Sequence, residues 1–196
     1  MSRRRSVKSI FVSPDYNSAT HRNDLAVLRL HARVNTTVYR PVALNTLSES
    51  ANEAPQTLAT ALGYGATVLG GPLLGSLKQV SLSLWTLDSC NRAPLGVAIT
   101  ADSLCAGSNT VGVCTGDGGA PLVRVVSGVA TLLGMFSFTV WPGRCAATGY
   151  PAVFSRVSTA SASAFIASVM RVPVNDDFRN AVLLTDCFPD VSASAL

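Results

Sequence analysis

Charge is scarce in this sequence. Acidic and basic residues together make up 13% of the 196 positions and aromatic residues 7%. So little charge, beside 48% apolar residues, excludes a disordered, self-repelling chain and implies a substantial buried core. No run reaches the roughly 18 apolar residues of a membrane-spanning helix, so no membrane partner is expected. The cysteines form no Cys-x-x-Cys pair and no Cys/His spacing of the zinc type. No metal and no cofactor is therefore expected. No internal repeat argues for a solenoid. The first ten residues are basic but carry neither an apolar core nor a small-residue cleavage site, so no signal peptide is read there. Only two histidines are present.

The net charge of +4 is mild, and much of it sits in Arg3, Arg4, Arg5 and Lys8. Without interleaved aromatics this cluster reads as a solvated strand end, and no nucleic-acid partner is expected. Five cysteines without metal spacing point to disulfides and an oxidising compartment. That leaves a conflict between cysteines of extracellular type and the lack of an export signal. The simplest expectation is a missing or processed N-terminus.

Short strands separated by Gly/Pro turns dominate what is there. Residues 6–12, 25–30, 57–66, 77–87, 97–106, 123–126, 129–138 and 152–157 read as strands, and many short strands imply an all-β sandwich or barrel. Residues 33–56, with Pro41, Pro55 and a polar cluster at 48–53, fit a linker between two lobes. Residues 158–170 differ. Ser158 or Thr159 can cap, and Ala162, Phe165, Ile166 and Val169 recur at helical spacing, which predicts one amphipathic C-terminal helix. The tail from 171 to 196 is expected to be mostly irregular.

The most informative stretch is Cys114-Thr115-Gly116-Asp117-Gly118-Gly119-Ala120-Pro121-Leu122-Val123. Its glycines and proline dictate a sharp turn at the entrance to a buried strand, a geometry that presents backbone N–H groups to negative charge. It resembles the nucleophile loop of the trypsin/chymotrypsin-like serine peptidases, Cys-x-Gly-Asp-Ser-Gly-Gly-Pro-Leu. Gly118 stands at the nucleophilic serine and Ala120 replaces a glycine. Four further blocks are similar to the family in the same order: Asn23-Asp24-Leu25-Ala26-Val27-Leu28; Gly63-Tyr64-Gly65; Leu104-Cys105-Ala106-Gly107 with Ser137-Phe138-Thr139; and Cys145 with 149–157.

The resemblance implies a double β-barrel, with residues 1–40 the remnant of an incomplete first barrel, 41–56 the linker, 57–157 a complete second barrel and 158–170 the final helix. It implies disulfides Cys90–Cys105 and Cys114–Cys145; a further family disulfide would join the sites of Ala59 and Arg124, where both cysteines are absent. Cys187 is left over and reads as a fortuitous thiol. Asp24 matches the triad carboxylate, Gly116 and Gly118 the oxyanion donors, Asp117 the loop-locking carboxylate, and Gly112, Phe138 and Thr139 the primary specificity pocket. Gly112 brings no charge to the pocket base, so Arg or Lys would not be selected. The triad histidine has no counterpart; His21 would lie at the cleft edge and His31 in solvent or at a contact between lobes. Asp117, lacking a cationic partner, is expected to be solvated or to sit in a collapsed, zymogen-like loop.

Acyl transfer on this fold needs a hydroxyl nucleophile, an imidazole and a carboxylate. Of the three only Asp24 remains. The expectation is an extracellular, non-catalytic homologue that binds or inhibits, with a protein partner through the cleft or the open barrel. The alternative is a fragment or incomplete gene product of a secreted serine-type endopeptidase, and a degenerate product without selected function is the third reading.

Overall fold

The computed structural model describes residues 5–140, 145–171 and 181–184. Ten strands form two sheets. Strands β1 (Val7–Val12), β2 (Ala26–Leu30) and β10 (Ala181–Leu184) make a three-stranded antiparallel sheet in the order β1-β2-β10. The larger sheet runs β3 (Ala43–Leu44), β8 (Val129–Phe138), β7 (Pro121–Val126), β4 (Leu58–Gly63), β5 (Lys78–Leu84), β6 (Ser103–Gly107) and β9 (Ala152–Arg156). Pairing of β9 back onto β8 closes six of these strands into a barrel, so none of the six has an open edge along its full length. The short β3 lies parallel to the first half of β8. The expectation of a mostly β molecule with a closed second barrel and a C-terminal helix is met.

Apolar side chains dictate the closure. Leu82, Leu122, Leu133, Phe136 and Phe154 fill the barrel, each essentially without solvent contact, and the Phe136 and Phe154 rings meet at 5.7 Å. Gly134 on β8 is required by close approach, since a Cβ there would overlap the Ser155 carbonyl of β9. A second core joins the two sheets. Leu25 and Val27 at β2 pack with Leu132, Met135 and Val157 of the barrel and with Ala162, Phe165, Ile166 and Val169 of α2 (Ala160–Arg171). Those four helix positions are the face expected from their spacing, and Thr159, not Ser158, caps by accepting the Ala162 N–H at 3.1 Å.

Two differences from the sequence reading have local causes. Residues 97–102 are not strand; the Asn91 side chain donates to the Ile99 carbonyl and accepts its N–H, taking the place of a ladder partner. Asn91 ends a short helix, α1 (Leu87–Asn91), whose cap Thr86 accepts the Ser89 N–H. The linker holds a 3-10 helix (Leu47–Glu53) opened by a Thr46/Glu49 capping box. From the tail, residues 181–184 pair with β2; Cys187 lies outside the described residues, as do Arg3 and Arg4.

Candidate functional site

The loop between Cys114 and β7 sits at the mouth of the barrel, tied on one side by the Cys114–Cys145 disulfide. The second disulfide, Cys90–Cys105, pins α1 to β6. Gly116 has φ +89° and Gly119 φ +79°, so the turn needs glycine at both. The loop is held by backbone bonds: the Asp117 N–H donates to Cys114, the Ala120 N–H to Asp117, and the Gly119 N–H to Phe136 on β8. Gly116 and Gly118 are exposed, and among the described residues their N–H groups have no acceptor. Donor capacity toward an anion is therefore free there.

Asp117 is not left to solvent, and among the described residues no cation pairs with it. It is partly buried, and its Oδ1 accepts the Gly65 N–H at 2.8 Å while Oδ2 accepts the Cys114 N–H at 2.9 Å. A Cβ on Gly63 or Gly65 would overlap this carboxylate, so the Gly63-Tyr64-Gly65 corner is glycine-bracketed to make room for it. Charge-assisted bonds from two amides satisfy the group where an ammonium would otherwise be needed.

Asp24 is only 2% exposed and accepts the Ser137 hydroxyl at 2.5 Å. The chain enters this position through a tight loop in which His21 and Asn23 both have positive φ. Asn23 is fixed there by donating to Asp15 and by accepting from Ser161 of α2. The His21 ring lies against Phe138 with centroids 4.6 Å apart, and its Nδ1 is buried with no hydrogen-bond partner among the described residues. Thus β2, β8 and the 13–25 loop bring Asp24, Ser137, Phe138 and His21 together. His31 is exposed at the end of β2.

Of the expected pocket residues Gly112 and Thr139 converge, around little space, whereas Phe138 lies against His21. Gly112, Val113, Thr139, Cys145 and Ala146 enclose a cavity of about 10 Å³, close to the least that holds one water. Thr139 donates to the Pro151 carbonyl at 3.0 Å, and any Cβ at Gly112 would overlap the Cys145 carbonyl. A larger cavity of about 300 Å³ shares Gly112, Val113, Cys145 and Ala146 with the small one and is lined also by Gly63, Gly65, Lys78, Gln79 and Asp117.

One polar cluster escaped the sequence reading. Glu53 at the end of the linker is buried, pairs with the Arg156 guanidinium, and accepts from Asn45 at 2.7 Å and from Ser158 at 2.8 Å. It locks the linker to the end of β9 and to the residues before α2. Only the run Asn45 to Glu53 followed by a capped turn hinted at it.

Comparison with known proteins follows the same lines. The sequence profile described as Trypsin matches residues 1–164. CLIP domain-containing serine protease B14 of Anopheles gambiae is 33% identical over 161 residues, covering 74% of this chain and 42% of its own length. A trypsin of Saccharopolyspora erythraea is 35% identical over 153 residues, covering 77% and 62%. Serine protease 56 of Homo sapiens is 33% identical, covering 78% and 25%. The chain thus spans less than two thirds of the length of these relatives.

Proposed function

Because this chain belongs to the trypsin family of serine peptidases, we propose that it is a non-catalytic member whose retained scaffold serves binding. One observation carries the reading: within the loop 114–123, whose frame from Cys114 to Asp117 and from Pro121 to Val123 is retained, position 118 is glycine. A glycine has no group to acylate. Neither histidine of this sequence is placed as the base, since His21 is turned against Phe138 and His31 is exposed at the strand end. Loss of the serine or of the histidine alone removes about six orders of magnitude of turnover in this chemistry. What remains is Asp24 holding Ser137, and the N–H groups of Gly116 and Gly118.

The Thr139 hydroxyl, bonded across to Pro151 beside the small cavity at Gly112, supports the same reading, because a glycine there would leave the entrance wider. The proposal includes extracellular residence, supported by the two disulfides. It also includes a protein partner at the cleft edge formed by His21 and Phe138, and the division of the chain into first-barrel, linker, second-barrel, helix and tail segments.

The test is labelling with a fluorophosphonate probe beside an active trypsin-like control. The expected result is no labelling that depends on the native fold. Labelling that disappears on denaturation and maps to residues 112–123 overturns the proposal.

A further inference from the structure

We propose that Asn35 is an acceptor for N-linked glycan. Of all the asparagines in the chain, only Asn35 is followed two positions on by a hydroxyl residue with a non-proline between, as Asn35-Thr36-Thr37. The residue is exposed in the irregular segment between β2 and β3, outside every strand ladder. Its carboxamide is already arranged for the reaction. The Thr37 hydroxyl donates to Asn35 Oδ1 at 2.6 Å, and the Thr37 N–H donates to the same oxygen at 3.0 Å. Both bonds engage the oxygen, and Nδ2 of this exposed residue has no acceptor among the described residues. Two donors on Oδ1 also draw electron density from the amide and make its N–H more acidic.

The surface beside the acceptor fits a sugar. Val38 is 59% and Tyr39 41% exposed, and with Arg5 and Val34 they line an open concavity of about 480 Å³ next to Asn35. The apolar face of a hexose ring covers such a patch, and an amphipathic aromatic such as Tyr suits one apolar and one wet contact. In the reaction the donor is an oligosaccharide linked to a polyprenyl diphosphate. Nδ2 forms a bond to the anomeric carbon, the bond from that carbon to the diphosphate oxygen breaks, Nδ2 gives up one proton, and the lipid diphosphate leaves. No electrons are exchanged. The inference rests on the extracellular reading, since the donor is met only on the export route.

The experiment separates the two. The full chain is translated behind a cleavable secretory leader into endoplasmic-reticulum microsomes, and only protease-protected chains are analysed, so export is imposed. The wild type and Thr37→Ser are expected to show a mobility shift reversed by peptide-N-glycosidase, which converts Asn35 to aspartate. Asn35→Gln and Thr37→Ala lose the shift. A control carries Ser127→Asn with Val129→Thr on the Asn35→Gln background. It builds an acceptor at the exposed β7–β8 turn, where φ is +49° and asparagine is tolerated. If the control is modified and the wild type is not, the proposal fails.

Discussion

On the proposed reading, a serine at position 118 is not enough for acyl transfer. Gly118→Ser restores a hydroxyl, but neither His21 nor His31 stands ready to take its proton, so the variant of this 196-residue chain is expected to stay unlabelled by a fluorophosphonate. Appearance of labelling in that variant alone would show that His21 leaves Phe138 and acts as a base. Gly65→Ala tests the carboxylate cradle. Its methyl must displace Asp117 from both amides, and the expected loss of about 1–3 kcal/mol, typical of overpacking or of a lost buried bond, is readable as a lowered urea midpoint with unchanged slope. At this scale the sequence was informative where residues lie in one short motif. Gly116, Asp117 and Gly118 share a loop, and Asp24 lies in a run of its own, so their places could be read from order alone. The partners of Asp117 could not. Two backbone amides, one of them from the glycine corner at 63–65, satisfy it, and backbone donors leave no mark in the side-chain pattern.

Glu53 and Arg156 show the same limit between elements. They meet because the linker turns back under the end of β9, and a pair so far apart in sequence has no periodic signature. Removing one member strands a buried charge, so Arg156→Met is expected to cost about 3–5 kcal/mol in chemical denaturation, and Glu53→Gln combined with it should recover part of the loss. Strand existence was legible from alternation and turn residues for β4, β5 and β8, whose observed bounds lie within a few residues of the reading. The segment 97–102 has the β-branched composition of a strand without being one, because Ile99 at its centre is bonded by a side chain, Asn91, and not by a strand. The antiparallel strand β10 was hidden in a tail of mixed composition. Val182→Pro with Leu183→Pro removes its ladder N–H groups. The expected outcome is faster amide exchange confined to Ala26–Arg29, with the barrel strands β4–β9 unchanged.

Across the whole molecule, one closed barrel and one open three-stranded sheet share a core through α2. The barrel is built from a continuous stretch, residues 58–156, clamped by both disulfides. Replacing Cys114 and Cys145 together by alanine is expected to lower stability by about 2–4 kcal/mol, measured as a drop in melting temperature under non-reducing conditions. The three-stranded sheet has the opposite construction. Its strands come from residues 7–12, 26–30 and 181–184, so the last of them leaves the ribosome only after about 150 further residues have been made. At a synthesis rate of about 5–20 residues per second, β1 and β2 wait on the order of ten to thirty seconds for their neighbour. During that interval no other described strand covers this edge of β2, and Ile10 and Val12 of β1 are both more than half exposed even in the finished fold. The assembly of this sheet is thus a matter of timing: a nascent chain offers a strand-accepting edge until residues 181–184 emerge, and then closes it from within.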